Sequence, residues 1–157
     1  MLHQDGISLG VMNLNIAFFL IPKKELVCLP VKCTMRQALE RMEYNSYTAV
    51  PLIDERGRYA GTLTEGDLLW KFKKTPDLTM KDTEKIPLTD VPRRVYNQPV
   101  RIYAKIQDLF SLAIDQNFIP VIDDSDVFIG IVRRREIIEY YGKQLLEKTS
   151  AEEVSSD

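Results

Sequence analysis

Residues 47–69 read Tyr47-Thr-Ala-Val-Pro-Leu-Ile-Asp-Glu-Arg-Gly-Arg-Tyr-Ala-Gly-Thr-Leu-Thr-Glu-Gly-Asp-Leu-Leu69, and their pattern returns later in the chain. Pro51, Asp54 and Gly61 recur as Pro120, Asp123 and Gly130, each at an offset of 69 (120−51, 123−54, 130−61). Around them Val50-Pro-Leu-Ile-Asp54 becomes Ile119-Pro-Val-Ile-Asp123, and Tyr59-Ala-Gly-Thr-Leu63 becomes Phe128-Ile-Gly-Ile-Val132. This is an internal repeat. Each copy is too short to bury much apolar surface alone, so two units that share one core are expected.

Within the first copy, Val50 to Asp54 reads as a buried strand and Glu55 to Arg58 as a tight turn in which Gly57 can take a positive φ. Tyr59 to Leu63 is the returning strand, and Thr64 opens a helix through Phe72 with Leu68, Leu69 and Phe72 on one face. Upstream, Thr34 and Gln37 have capping-box spacing, and Met35, Ala38, Leu39 and Met42 follow a helical period ending near Tyr44-Asn45. Leu26 to Leu29 reads as a short buried strand. A short helix is expected over Asn13 to Leu20, stopped by Pro22, after a loose terminus at residues 1–12. The first unit thus spans residues 13–74.

A polar, proline-interrupted connection follows at residues 75–97, ordered against the body, with Leu88 to Val91 as one helical turn. The second unit, residues 98–147, repeats the order. Val100 to Ile102 is its strand, Ala104 to Ile114 its helix, Ile119 to Val132 its hairpin turned at Asp124-Ser125-Asp126, and Arg134 to about Leu146 its last helix. Residues 148–157 have the composition of a disordered tail. The fold class is therefore α/β, each unit running strand, helix, strand, strand, helix. Trp70, Phe72, Tyr140 and Tyr141 suit core or dimer packing, and Met35 and Met42 suit the core.

Composition narrows function. With 45% hydrophobic and 28% charged residues the chain is ordinary for a globular protein, and its net charge of −2 gives no global basic field for nucleic acid. The run Ile16 to Ile21 is too short to cross a membrane. The one histidine, His3, removes a His-based metal site or general base from the body of the chain. Neither an activated nucleophile nor a glycine-rich phosphate loop is evident, so no enzyme and no cofactor is expected. Cys28 and Cys33, without a signal peptide, point to free thiols in the cytoplasm.

Gly61-Thr-Leu-Thr-Glu-Gly-Asp67 after the Val-Pro-Leu-Ile-Asp strand resembles the G-h-h-[ST]-x-x-D signature of the CBS domain, h being apolar. Two such units in tandem resemble a Bateman module, a resemblance covering roughly residues 16 to 146. It implies a pseudo-twofold arrangement of the units, adenosine-ligand sensing in a cleft between them, and a disc-shaped homodimer. Tyr47-Thr48-Ala49-Val50-Pro51, Leu88 to Arg93 and the Arg133 to Arg135 cluster further resemble the small stand-alone bacterial CBS-pair proteins that bind cyclic di-AMP and act on a partner protein. AMP, ADP or ATP is the alternative ligand.

The residue chemistry is compatible with this. Thr64 sits at a helix start that favours anions, and Asp67 can accept from both ribose hydroxyls. Tyr47, Thr48, Ala49 and Pro51 supply a wall for adenine. The same Thr64 and Asp67, however, form a capping box that stabilises a helix without any ligand. In the second copy Arg133 stands at the Thr64 position and Glu136 at the Asp67 position, so an identical second site is not expected. Arg133, Arg134 and Arg135 crowd a helix N-terminus against its dipole, which an anion would relieve. By family analogy, Arg134 or Arg135 reaches the phosphates of a nucleotide whose ribose Asp67 holds. A structural dimerisation module without nucleotide is the rival reading, and nucleic-acid binding through the basic clusters a weaker third.

Overall fold

A computed structural model describes residues 14–155; the loose terminus expected at 1–12 lies outside them. Strands β1 (Ile21–Pro22) and β2 (Leu29–Pro30) precede helix α1 (Met35–Asn45), the hairpin β3 (Ala49–Ile53) and β4 (Tyr59–Thr64), and helix α2 (Glu65–Lys74). The second unit repeats this with β5 (Val100–Arg101), α3 (Ile106–Ala113), β6 (Phe118–Ile122), β7 (Phe128–Arg133) and α4 (Arg134–Val154). In both units the strand directly before the first helix, β2 or β5, joins the hairpin in parallel, Leu29 opposite Leu52 and Val100 opposite Val121.

The repeat holds at the level of single hydrogen bonds. Asp54 Oδ1 accepts from the amides of Arg56 and Arg58, as Asp123 Oδ1 does from Ser125 and Val127. An aspartate opens each hairpin because its carboxylate satisfies turn amides that the ladder leaves free. Position 57, at a φ of +78°, favours glycine, and its equivalent in the second hairpin is Asp126 at +65°, a residue type that tolerates the left-handed region. Ahead of the hairpins the offset is 71 rather than 69: Met35 matches Ile106 and Ala38 matches Leu109 as buried helix residues. Two extra residues therefore lie between helix and hairpin in the first unit, next to Tyr47 and Thr48.

The interior has three parts. Leu29, Met35, Ala38, Val50, Leu52 and Leu63 centre the first unit's cluster. Ile16, Leu109, Ile119, Val121, Val132 and Ile137 centre the second. Ile53, Phe118, Phe128 and Ile131 form a seam between them, packed with Ile21, Leu26, Cys28, Ala49 and Tyr59. The hairpin tips also join, Phe128 N donating to Gly57 O at 2.9 Å. The shared core is thus two lobes fused through a sheet-to-sheet seam.

Three expectations are corrected. Where a helix was expected over 13–20, the described residues hold a single 3₁₀ turn, Ile16–Phe18, capped by the Asn15 side chain. The chain then enters β1, which pairs with the edge of β7, Ile21 opposite Ile131; backbone pairing on an open sheet edge outweighs a marginal short helix. Second, the strand expected at Leu26–Leu29 begins only at Leu29, because a 3₁₀ turn at Lys23–Glu25 ends at Leu26, whose amide bonds back to Lys23 O. Third, residues 148–154 are not a disordered tail but the end of α4. Lys148, Ala151, Glu152 and Glu153 are good helix formers, and Thr149 and Ser150 donate their hydroxyls to the carbonyls four residues back.

Cys28 and Cys33 are free, and burial is the main cause holding both thiols above their ordinary pKa. At pH 8 a thiol-reactive disulfide reagent is expected to label them much more slowly in the folded protein than in urea. Labelling at equal rates in both would contradict the packing around β2.

Candidate functional site

Tyr47, Thr48, Ala49 and Pro51 lie at the start of β3, where the chain leaves α1 through Ser46 in the left-handed conformation. Across the seam stand the end of β7 and the start of α4. Each helix start is pinned to the loop before its own hairpin: Glu65 N donates to Thr48 O at 2.9 Å and Arg134 N to Asn117 O at 3.0 Å. The two hairpins therefore present their open ends side by side, and a cleft of about 270 Å³ forms between them. Its walls include Leu26, Val27, Phe118 and Ile131, and its rim carries Arg133 and Arg135.

Six of the ten residues singled out in the sequence line this one cleft: Tyr47, Thr48, Ala49, Pro51, Arg133 and Arg135. The other four do not. Arg134 turns its guanidinium to the Asn117 side chain and the Ala113 carbonyl. Glu136 faces a separate hollow with Phe18, Phe19 and Tyr140. Thr64 pairs with Ala49 in the sheet but gives its hydroxyl oxygen to the Asp67 amide as acceptor. Asp67 is only 2% exposed; its Oδ2 accepts from Thr64 N at 2.9 Å and its Oδ1 from Arg94 N at 3.1 Å. The capping box is thus realised. Asp67→Ala is expected to cost about 0.5–2 kcal/mol as a lost cap, checked by urea denaturation; an unchanged midpoint would contradict the assignment.

The cleft's chemistry follows from its lining. One side is aromatic and aliphatic with backbone groups of an edge loop, suited to a flat heteroaromatic ring. Arg133 has no capping bond and no ion pair among the described residues, while Arg135 is bonded to Glu139 at 2.7 Å. Both are exposed at a helix N-terminus whose free amides and dipole favour an anion. Four roomier hollows exist: about 440 Å³ beside Pro30 and Arg58, about 560 Å³ between α1 and α2, about 380 Å³ beside Phe18 and Tyr140, and about 350 Å³ beside Ala60 and Arg93. The first is bordered by the charged pairs Lys32–Glu55 and Arg58–Asp54, and the second is an apolar helix groove. The first also carries Arg56 and the last Arg93 and Arg94, so what sets the seam cleft apart is its place between the two repeats, where an apolar wall from one faces arginines from the other. Leu26, Val27 and Asn117 were not singled out by sequence; their place in the cleft depends on contacts across the seam.

No helix is long and apolar enough to cross a membrane, and no group of His, Cys, Asp or Glu able to hold a metal ion occurs, both among the described residues.

Two α/β repeats joined through a seam, with a ligand-sized cleft at their open ends, define a tandem regulatory module. The chain belongs to the CBS domain family, whose pattern matches residues 20–74 and 86–143. Among curated proteins it is 25% identical over 143 residues to cyclic di-AMP receptor B of Bacillus subtilis (strain 168), covering 86% of this chain and 91% of that one. Among solved structures it is similar to CbpB in complex with c-di-AMP, with a TM-score of 0.74 and 22% identity over 88% of this chain and 91% of that chain. It is also similar to CBSX2 in complex with AMP, with a TM-score of 0.65 and 22% identity over 82% and 96% of the two chains.

Proposed function

We propose that this chain is a non-enzymatic cytoplasmic receptor for an adenine nucleotide, cyclic di-AMP before AMP, ADP or ATP, that reports ligand level to a partner protein. The observation that carries this reading is the meeting of Tyr47, Thr48, Ala49 and Pro51 with Arg133 and Arg135 in one cleft. The adenine packs against the apolar wall, and the arginines pair phosphate oxygens as bidentate donors. Cyclic di-AMP stands first because it carries two phosphates for two guanidiniums, and because the B. subtilis relative is named for it. The chain acts as a homodimer. Leu69 and Ile138, 59% and 62% exposed, occupy equivalent positions on α2 and α4, and Phe110 and Ile114 at the end of α3 are exposed too; a second copy covers such apolar side chains.

A thermal-shift panel with AMP, ADP, ATP, S-adenosylmethionine, NAD, cyclic di-AMP and cyclic di-GMP tests the proposal. Cyclic di-AMP at about 100 times its dissociation constant adds roughly 2.7 kcal/mol and raises Tm clearly. A panel in which nothing moves Tm would leave the module as a structural dimerisation unit.

A further inference from the structure

The repeat builds a second cleft, related to the first by the internal symmetry, and its contents differ. At the positions of Leu26 and Val27, at the offset of 71 that holds ahead of the hairpins, stand Asn97 and Gln98; at that of Tyr47 stands Gln116; at that of Arg133 stands Thr64. We propose that residues 93–98 form a strap that holds this second cleft shut, so that each chain takes one nucleotide and Asp67 is not a ligand contact.

Five contacts fasten the strap. Arg93 Nη1 donates to Ala60 O at 2.8 Å, and its guanidinium lies over Gly61 so closely that a Cβ there would fall 2.6 Å from Nη1. In the other unit the equivalent edge of β7 is covered by β1; here an arginine side chain takes the strand's place. Arg94 N donates to Asp67 Oδ1, and the Arg94 guanidinium sits 5.0 Å from the centre of the Trp70 ring. Tyr96 packs on Tyr59 with ring centres 6.1 Å apart. Gln116, buried, closes a two-way amide clamp, accepting from Gln98 N at 2.8 Å and donating to Gln98 O at 3.1 Å.

The consequence for binding is direct. The carboxylate that would receive ribose hydroxyls already accepts one backbone amide on each oxygen and is buried. A ribose reaches it only by displacing the Arg94 amide, an exchange of one donor for another that gains little at the carboxylate and unfastens the strap. In the first cleft the counterparts of Arg93 and Arg94 are Pro22, which pairs with Gly130 as part of β1, and Lys23, which is exposed.

The stoichiometry rests on the nucleotide-receptor reading; the closed strap does not, and two readouts separate them. Amide hydrogen exchange on the ligand-free protein reads the strap: the Arg94 and Gln98 amides are expected to exchange at least about tenfold more slowly than in an unstructured chain. Calorimetric titration with cyclic di-AMP reads the clefts: one nucleotide per chain is expected, with the dissociation constant of Asp67→Ala within about twofold of the parent while its Tm falls. Arg94 and Gln98 exchanging at coil rates, two nucleotides per chain, or a tenfold affinity loss in Asp67→Ala would each overturn the proposal. Protected amides in a protein that binds no cyclic di-AMP would uphold the strap and sink the receptor reading instead.

Discussion

Arg133→Ala is expected to weaken cyclic di-AMP binding by roughly 10- to 150-fold while leaving Tm almost unchanged. A hydrogen bond between charged groups contributes about 1.5–3 kcal/mol, and each 1.4 kcal/mol is a factor of ten. Stability is spared because the side chain is exposed, makes no ion pair among the described residues and caps nothing. Removing one of three guanidiniums that oppose the α4 dipole even relieves a cost of tenths of a kcal/mol. Arg134→Ala is the contrasting variant, since it loses the bond to Asn117 and should lower Tm more than it lowers affinity. Isothermal titration of both variants checks this; equal affinity losses would mean that Arg134 leaves Asn117 to meet the ligand.

The second large effect concerns the fold itself. At Gly130 an added Cβ would lie 2.2 Å from Ile21 O and 2.9 Å from Leu20 Cδ1. The obstruction is backbone, so it does not yield by a rotamer change. Gly130→Ala therefore pushes β1 off β7 and loosens Ile16 and Phe19, which are 1% and 6% exposed. Overpacking of this kind costs about 1–3 kcal/mol; with about 3 kcal/mol at the backbone contact, Tm falls by roughly 6–12 °C for a chain of this size. Gly142 is the internal control. It lies in α4, where an added methyl would meet nothing within 4 Å, so Gly142→Ala should stabilise by about 0.4–1 kcal/mol. A Gly130→Ala protein as stable as the parent would contradict the β1–β7 pairing.

These cases show where the sequence is informative. Thr34 with Gln37 and Thr64 with Asp67 are short-range patterns, and both capping boxes are present in full. The hairpins are readable because Asp54 and Asp123 bind their own turns within four residues. β1 is not readable, because a two-residue strand exists only by virtue of its partner at Gly130 and Ile131; the missing Cβ at 130 is the one signal that points to it. The end of α4 escapes sequence reading because its exposed residues have no apolar period to follow and are held by local propensity alone.

The cleft is half legible. Tyr47 to Pro51 and the arginine run can be chosen as ligand-facing, but which arginine faces inward depends on Asn117 and Glu139, which hold Arg134 and Arg135. Asp67 is the clearest limit. Its spacing from Thr64 announces both a cap and a ribose acceptor, and the amide of Arg94, 27 residues away, decides which oxygens remain free.

The most direct test of the receptor reading is amide chemical-shift mapping during titration with cyclic di-AMP. The account predicts saturable shifts concentrated at residues 47–51, 117–118 and 131–135, with Asp67 and residues 93–98 little changed. Shifts centred on Asp67, Arg93 and Tyr96, or no saturable shifts at all, would contradict it.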